Sequence, residues 1–112
     1  MTVRLTSDMW VSAYLARLRI AAIAAYVVAR GDAQAGAVIV KLATLDGRAV
    51  AYQRSFDLMS DARMWVVLAH GPEVEVDGVL ARARSRDPDL WLIEVEDRAG
   101  RHLLDQDGLA EG

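Results

Sequence analysis

The sequence predicts an α+β domain, an antiparallel sheet of about five strands with two helices packed on one face, in the order α-β-β-β-β-α-β. Three observations predict it. A helical apolar stripe opens the chain, and β-rich runs separated by hairpin-type turn signals follow it. A second short stripe then ends at Asp87-Pro88, just before the clearest strand signal. At 112 residues the chain fits one domain, expected over 1–112 with an ordered core of 5–104 and a polar tail over 105–112.

Ser7-Asp8 marks the first helix start, with Ser7 as cap and Asp8 at the positive end of the helix dipole. Val11, Tyr14, Leu15, Leu18 and Ala22 recur at helical spacing. The change to strand is placed near Ile23, and Tyr26-Val27-Val28 is β-branched and aromatic. Gly31 to Gly36 is a glycine-bounded hairpin loop. In the next strand Val38, Val40 and Leu42 line one face, with Ala37, Ile39 and Lys41 on the other. Asp46-Gly47 predicts a two-residue type I′ turn, with a return strand over Arg48 to Phe56.

Residues 61–69 fit two patterns, a short helix capped by Ser60 or a strand; the adjacent valines decide for strand, broken at His70-Gly71-Pro72. Val76, Val79, Leu80 and Ala83 mark the second helix. Asp87-Pro88 stops it, because a residue before proline avoids the helical region. Leu90 to Val95 is the last long strand, and His102-Leu103-Leu104 a brief further one.

Composition excludes several functions. Without cysteine there is no disulfide framework, iron–sulfur cluster or thiol zinc site. The longest apolar run, Ile20 to Ala29, is far short of the ~20 residues of a spanning helix. Asp8, Arg17 and Arg19 also spoil a secretory signal, which predicts a cytoplasmic protein. Net charge is −3, divided as +4 over residues 1–54 and −7 over 55–112. An acidic balance argues against general nucleic-acid affinity, which rests on neutralising phosphates.

The stretch Asp-Pro-Asp-Leu-Trp-Leu-Ile-Glu-Val-Glu-Asp-Arg (87–98) is the most distinctive string. With Trp10-Val11-Ser12-Ala13, residues 25–32 (Ala-Tyr-Val-Val-Ala-Arg-Gly-Asp) and residues 36–41 (Gly-Ala-Val-Ile-Val-Lys), the chain resembles the small bacterial family catalogued as domain of unknown function 1491. The resemblance covers about residues 5–105. It implies an alphaproteobacterial setting and no known activity. It also implies a glycine and a proline between the first helix and first strand, where this chain has Ala22 and Ala24.

The chemical inventory is sparse. Asp89, Glu94, Glu96 and Asp97 offer carboxylates for a hard cation. Yet Glu94 and Glu96, one strand step of ~6.6 Å apart, suit solvated charges better than one shared ion. Lys41 is the only lysine, and Ile39 stands where metal-dependent nuclease cores carry an acid. His70 and His102 lack helical metal-site spacing, no serine lies in a nucleophile elbow, and residues 31–36 hold no phosphate-binding fingerprint. No cofactor or metal is therefore expected.

Arg82 and Arg86, four residues apart on one helix face, together with Trp91, Arg63 and Trp65, suggest an arginine–aromatic interaction surface. The expected function is a small non-catalytic protein-interaction module that self-associates or meets a protein partner, with neither nucleic acid nor membrane involved. The alternative is a small hydrolase or phosphate-handling enzyme using Asp89, Glu94, Glu96 and Asp97 with His70, His102 or Arg86.

Overall fold

The computed structural model describes residues 5–57, 59, 62–106 and 108–109. Its elements are α1 (Ser7–Ile20), β1 (Ala24–Ala29), β2 (Val38–Ala43), β3 (Arg48–Asp57), β4 (Ala62–Pro72), α2 (Glu73–Arg86) and β5 (Trp91–Glu96). The expected α+β class and element order hold. Ser60 and residue 61, where the ambiguous segment was expected to begin, lie outside the described residues. From Ala62 onward that segment is strand, and it continues through Pro72 into α2 with no intervening loop.

Both ends of α1 are held by means the sequence hides. Ser7 is not the cap. Thr6 precedes the helix without a side-chain cap bond, and the buried Ser7 hydroxyl donates to the Gly36 carbonyl at 2.6 Å. The Ser7 and Asp8 amides donate to the carbonyls of Gln34 and Ala33, so the 31–36 loop satisfies the open helix end. At the other end Ala22 takes φ 60°, the left-handed conformation that glycine usually supplies. The Ala22 amide donates to the Arg19 carbonyl and the Ile23 amide to the Leu18 carbonyl. This is a Schellman closure, completed by burial of Leu18 and Ile23 in one core cluster.

The strand order is β1-β5-β2-β3-β4. Three of the four strand pairs are antiparallel, but β2 and β5 run parallel. That pair corrects the all-hairpin picture. The last strand inserts between the first two, so residues 31–36 are a crossover over the start of β5 and not a hairpin loop. The helices also do not share a face. Trp10, Val11, Tyr14 and Leu18 of α1 pack with Val38, Val40, Trp91, Ile93 and Val95, whereas Val76 and Leu80 of α2 pack with Ile39, Ala49 and Ala51. Residues of opposite parity on β2 thus feed two cores, and every residue of β2 is buried. A strand covered on both faces reads as a continuous apolar run, and Val38 to Ala43 is one but for Lys41.

The crossover explains two glycines. A Cβ on Gly31 or Gly36 would fall 2.2 Å or 2.4 Å from the Asp89 carbonyl oxygen. Asp32 donates its amide to that same oxygen at 2.9 Å and accepts the Trp91 indole N–H at 2.7 Å. The β2–β3 turn departs from the expected type I′ form, because its left-handed residues are Leu45 and Gly47, not Asp46 and Gly47. After Gly100 none of the described residues is in a strand, so His102 to Leu104 corrects another expectation. Leu104 and Leu109 are buried in the α1-side core, Leu109 in the segment read as a polar tail.

Candidate functional site

Strand register places Tyr26, Glu94 and Lys41 in one row across β1, β5 and β2. Lys41 is only 5% exposed. Its ammonium meets Glu94 of β5 at 3.2 Å and, from the first two turns of α2, Glu73 and Asp77 at 2.7 Å each. The helix residues are four apart, so both carboxylates reach down from one face. The Tyr26 hydroxyl donates to the second Glu94 oxygen at 2.7 Å.

This geometry decides what the cluster can do. Burial works to lower the Lys41 pKa, but hydrogen bonds to Asp77 and Glu73 and the nearby Glu94 outweigh it and hold the amine protonated. A protonated amine has no lone pair for Schiff-base or general-base chemistry. The bond to Glu94 keeps the Tyr26 proton in place and pushes its pKa up to about 12. Both Glu94 oxygens are engaged. The cluster pins α2 to the sheet beside a cleft of about 380 Å³ whose walls include Val28, Leu80 and Leu92.

A second cleft, of about 390 Å³, lies on the opposite face and is lined by Tyr52, Arg63, Trp65 and His102. The His102 ring lies 4.7 Å from Tyr52, and its Nδ1 accepts the Leu104 amide at 3.0 Å. Burial lowers its pKa. Tyr14 donates its hydroxyl to the His102 carbonyl at 2.8 Å.

The structure disperses the expected acid–histidine set. Glu94 is bound to Lys41 and Tyr26, and Asp97 holds Arg101 in a two-pronged pair. Asp89 and Arg86 lie before β5 and Glu96 ends it, ~20 Å away along an extended six-residue strand. His70 lies on β4 opposite Val50, while His102 belongs to the α1-side cleft. Among the described residues no three His, Asp or Glu side chains are placed to share a metal ion.

The arginine–aromatic group also divides. Arg82 and Arg86 are exposed on α2, Arg63 and Trp65 belong to β4, and Trp91 is 1% exposed in the α1-side core. Trp91 has an arginine over its ring, but that arginine is Arg30. Arg84, between the two exposed arginines, donates to the carbonyls of Arg30 and Leu90 and ties the end of α2 to β1 and β5. Sequence reasoning missed the Lys41 cluster, although a lone lysine inside an otherwise apolar strand was the available signal.

Fold and site together define a small α+β domain whose polar clusters join its elements to one another. The chain belongs to the family described as "Protein of unknown function (DUF1491)", which matches residues 5–105. It is similar to the crystal structure of a DUF1491 family protein from Caulobacter crescentus CB15, with 35% identity and a TM-score of 0.81 over 93% of this chain and 96% of that one. The NMR structure of a DUF1491 family protein from the same organism gives the same values. The solution structure of protein Atu0922 from A. tumefaciens is 32% identical, with a TM-score of 0.71 over 84% of this chain and 86% of that one. No curated protein matches the chain. No helix is long and apolar enough to cross a membrane among the described residues.

Proposed function

We propose that the chain is a cytoplasmic, non-catalytic interaction module that self-associates through the outer edge of β4. The observation that carries this reading is the edge itself. β4 is eleven residues long, pairs only with β3 among the described residues, and has no charge from Met64 to Ala69. Met64, Val66, Val67 and Leu68 are 36–53% exposed. Long apolar edges invite a further strand, and edges that stay single are usually short, charged or broken by proline.

The occupant is a second copy in antiparallel register. A two-fold axis at Val66 pairs Met64 with Leu68, Trp65 with Val67 and Val66 with its own copy, apolar against apolar throughout. It also sets Arg63 opposite Ala69, whereas an in-register parallel pairing stacks Arg63 on Arg63. Of the arginine–aromatic group, Arg63 and Trp65 belong to this strand; Arg82 and Arg86 lie away from it on α2. Size-exclusion with light scattering tests the reading. The expected result is a dimer at high protein concentration that Val66→Lys with Val67→Lys converts to a folded monomer. A wild-type monomer at every concentration overturns it.

A further inference from the structure

We propose that the cleft between the β3–β4 ribbon and the segment after Gly100 binds a planar, uncharged heterocycle with adjacent N–H and C=O groups. The cleft has a volume of about 390 Å³, within the range of roughly 300–1,000 Å³ typical of small-molecule sites. Three rings line it, those of Tyr52, Trp65 and His102, and Met64 and Leu104 add apolar surface. Tyr52 opposes Val67 and Arg54 opposes Trp65, so Tyr52 and Trp65 are diagonal neighbours on one sheet face. The His102 ring meets Tyr52 at 4.7 Å and 56°, so these two form a corner and not a closed stack. A corner of aromatic surface suits a flat ring, which gains from offset or edge-to-face contact.

The polar groups define what the edge of that ring must carry. Tyr14 and Tyr26 donate their hydroxyls to the His102 carbonyl and to Glu94. The third tyrosine, Tyr52, is half-buried, and its hydroxyl has no such acceptor among the described residues. A hydroxyl withdrawn from water in this way is ordinarily hydrogen-bonded. His102 accepts the Leu104 amide at Nδ1, so the neutral ring carries its proton on Nε2 and offers a second donor. Asp105 also lines the cleft and lies close enough to act on the ionisation of both Tyr52 and His102. Two donors and a carboxylate therefore converge. A cyclic amide edge complements them, its C=O accepting from Nε2–H or the Tyr52 hydroxyl and its N–H donating to Asp105.

Charge argues for a neutral ligand. Arg63 lines the cleft but already has a partner, so it is not counted as a binding group for an anion. The Arg54 guanidinium carbon lies 5.6 Å from the Trp65 ring, so a ligand cation would meet a ring that already holds one. All seven lining residues belong to one copy, so the site does not rest on self-association.

NMR titration of the isotope-labelled protein with hypoxanthine tests the site, with 1-methylhypoxanthine, 2-piperidone and choline as comparisons. Saturable shifts are expected for the Trp65 indole N–H and the Leu104 and Asp105 amides. None is expected for the Trp91 indole N–H, which is bound to the Asp32 carbonyl. 1-Methylhypoxanthine lacks the N–H that meets Asp105, and 2-piperidone keeps the amide edge without an aromatic face. Each should bind about tenfold more weakly, and choline not at all. Asp105→Ala, at an exposed position, should weaken hypoxanthine about tenfold in a chain of unchanged Tm, the loss of one charge-assisted bond. Tyr52→Phe keeps the ring and should weaken it about threefold, the loss of one neutral bond. No saturable shift, equal affinity for any comparison compound, or unchanged affinity in either variant overturns the proposal.

Discussion

The ammonium of Lys41 on β2 lies 2.7 Å from the carboxylate of Asp77 on α2, and this contact joins the helix to the middle of the sheet. Glu73 and Asp77 are 38% and 52% exposed at their side chains, so they recover water if Lys41 is lost, whereas Glu94, at 14%, does not. Lys41→Met is therefore expected to cost about 1–3 kcal/mol, below the figure for a fully buried pair, measured by urea unfolding. The pH dependence has a definite sign. The folded-state pKa of Lys41 is raised, so its contribution is complete below the unfolded value. The wild-type-minus-mutant difference should stay flat through neutral pH and shrink only above roughly pH 10.4.

Ala22 carries a conformational penalty at φ 60° that glycine would not. Ala22→Gly should stabilise the domain by about 0.5–1 kcal/mol, since the left-handed position is native and its side chain is exposed. Thermal unfolding of the two proteins checks this. A fall in Tm would mean that the entropy of the glycine chain outweighs the relief of strain.

Gly31→Ala and Gly36→Ala place a methyl group against the Asp89 carbonyl, which is backbone and cannot rotate away. Each should lose about 1–3 kcal/mol, with a changed near-ultraviolet circular dichroism signal from Trp91. Gly47→Ala is the comparison. Nothing lies within 4 Å of its Cβ, so its cost should be the left-handed backbone alone, about 1 kcal/mol.

His102 titrates below its ordinary value because burial disfavours the imidazolium. The bond from the Leu104 amide to Nδ1 also requires an unprotonated nitrogen there. The unfolded chain therefore binds the proton more readily. The contribution of His102 is present above its unfolded pKa and declines as pH falls through the lower folded one. NMR titration should place His102 below a model histidine peptide, and His102→Gln should flatten the stability loss between about pH 6.5 and 5.

Element order, the strand character of residues 62–69 and the stop at Asp87-Pro88 were legible because local patterns determine them; the continuation of that strand through Pro72 was not. The division of β2 between two cores was also present, since Val38, Val40 and Leu42 share one parity and Ile39 the other. What hid its meaning was β5, whose place between β1 and β2 depends on pairings some 50–70 residues apart that no local pattern encodes. The same distance hid the Lys41–Glu94 contact. Trp91 misled for a related reason: a tryptophan beside arginines in sequence belongs to a different side of the sheet from those arginines once alternate residues point apart.

The insertion of β5 also has a bearing on the order of events during synthesis. Until residues 91–96 have left the ribosome, β1 has no strand to pair with and one side of β2 stays bare. The β2–β3–β4 meander and its helix can assemble as the chain emerges. The first helix and strand must wait, and the domain is completed by a late segment entering its middle, a route with a high loop-closure cost.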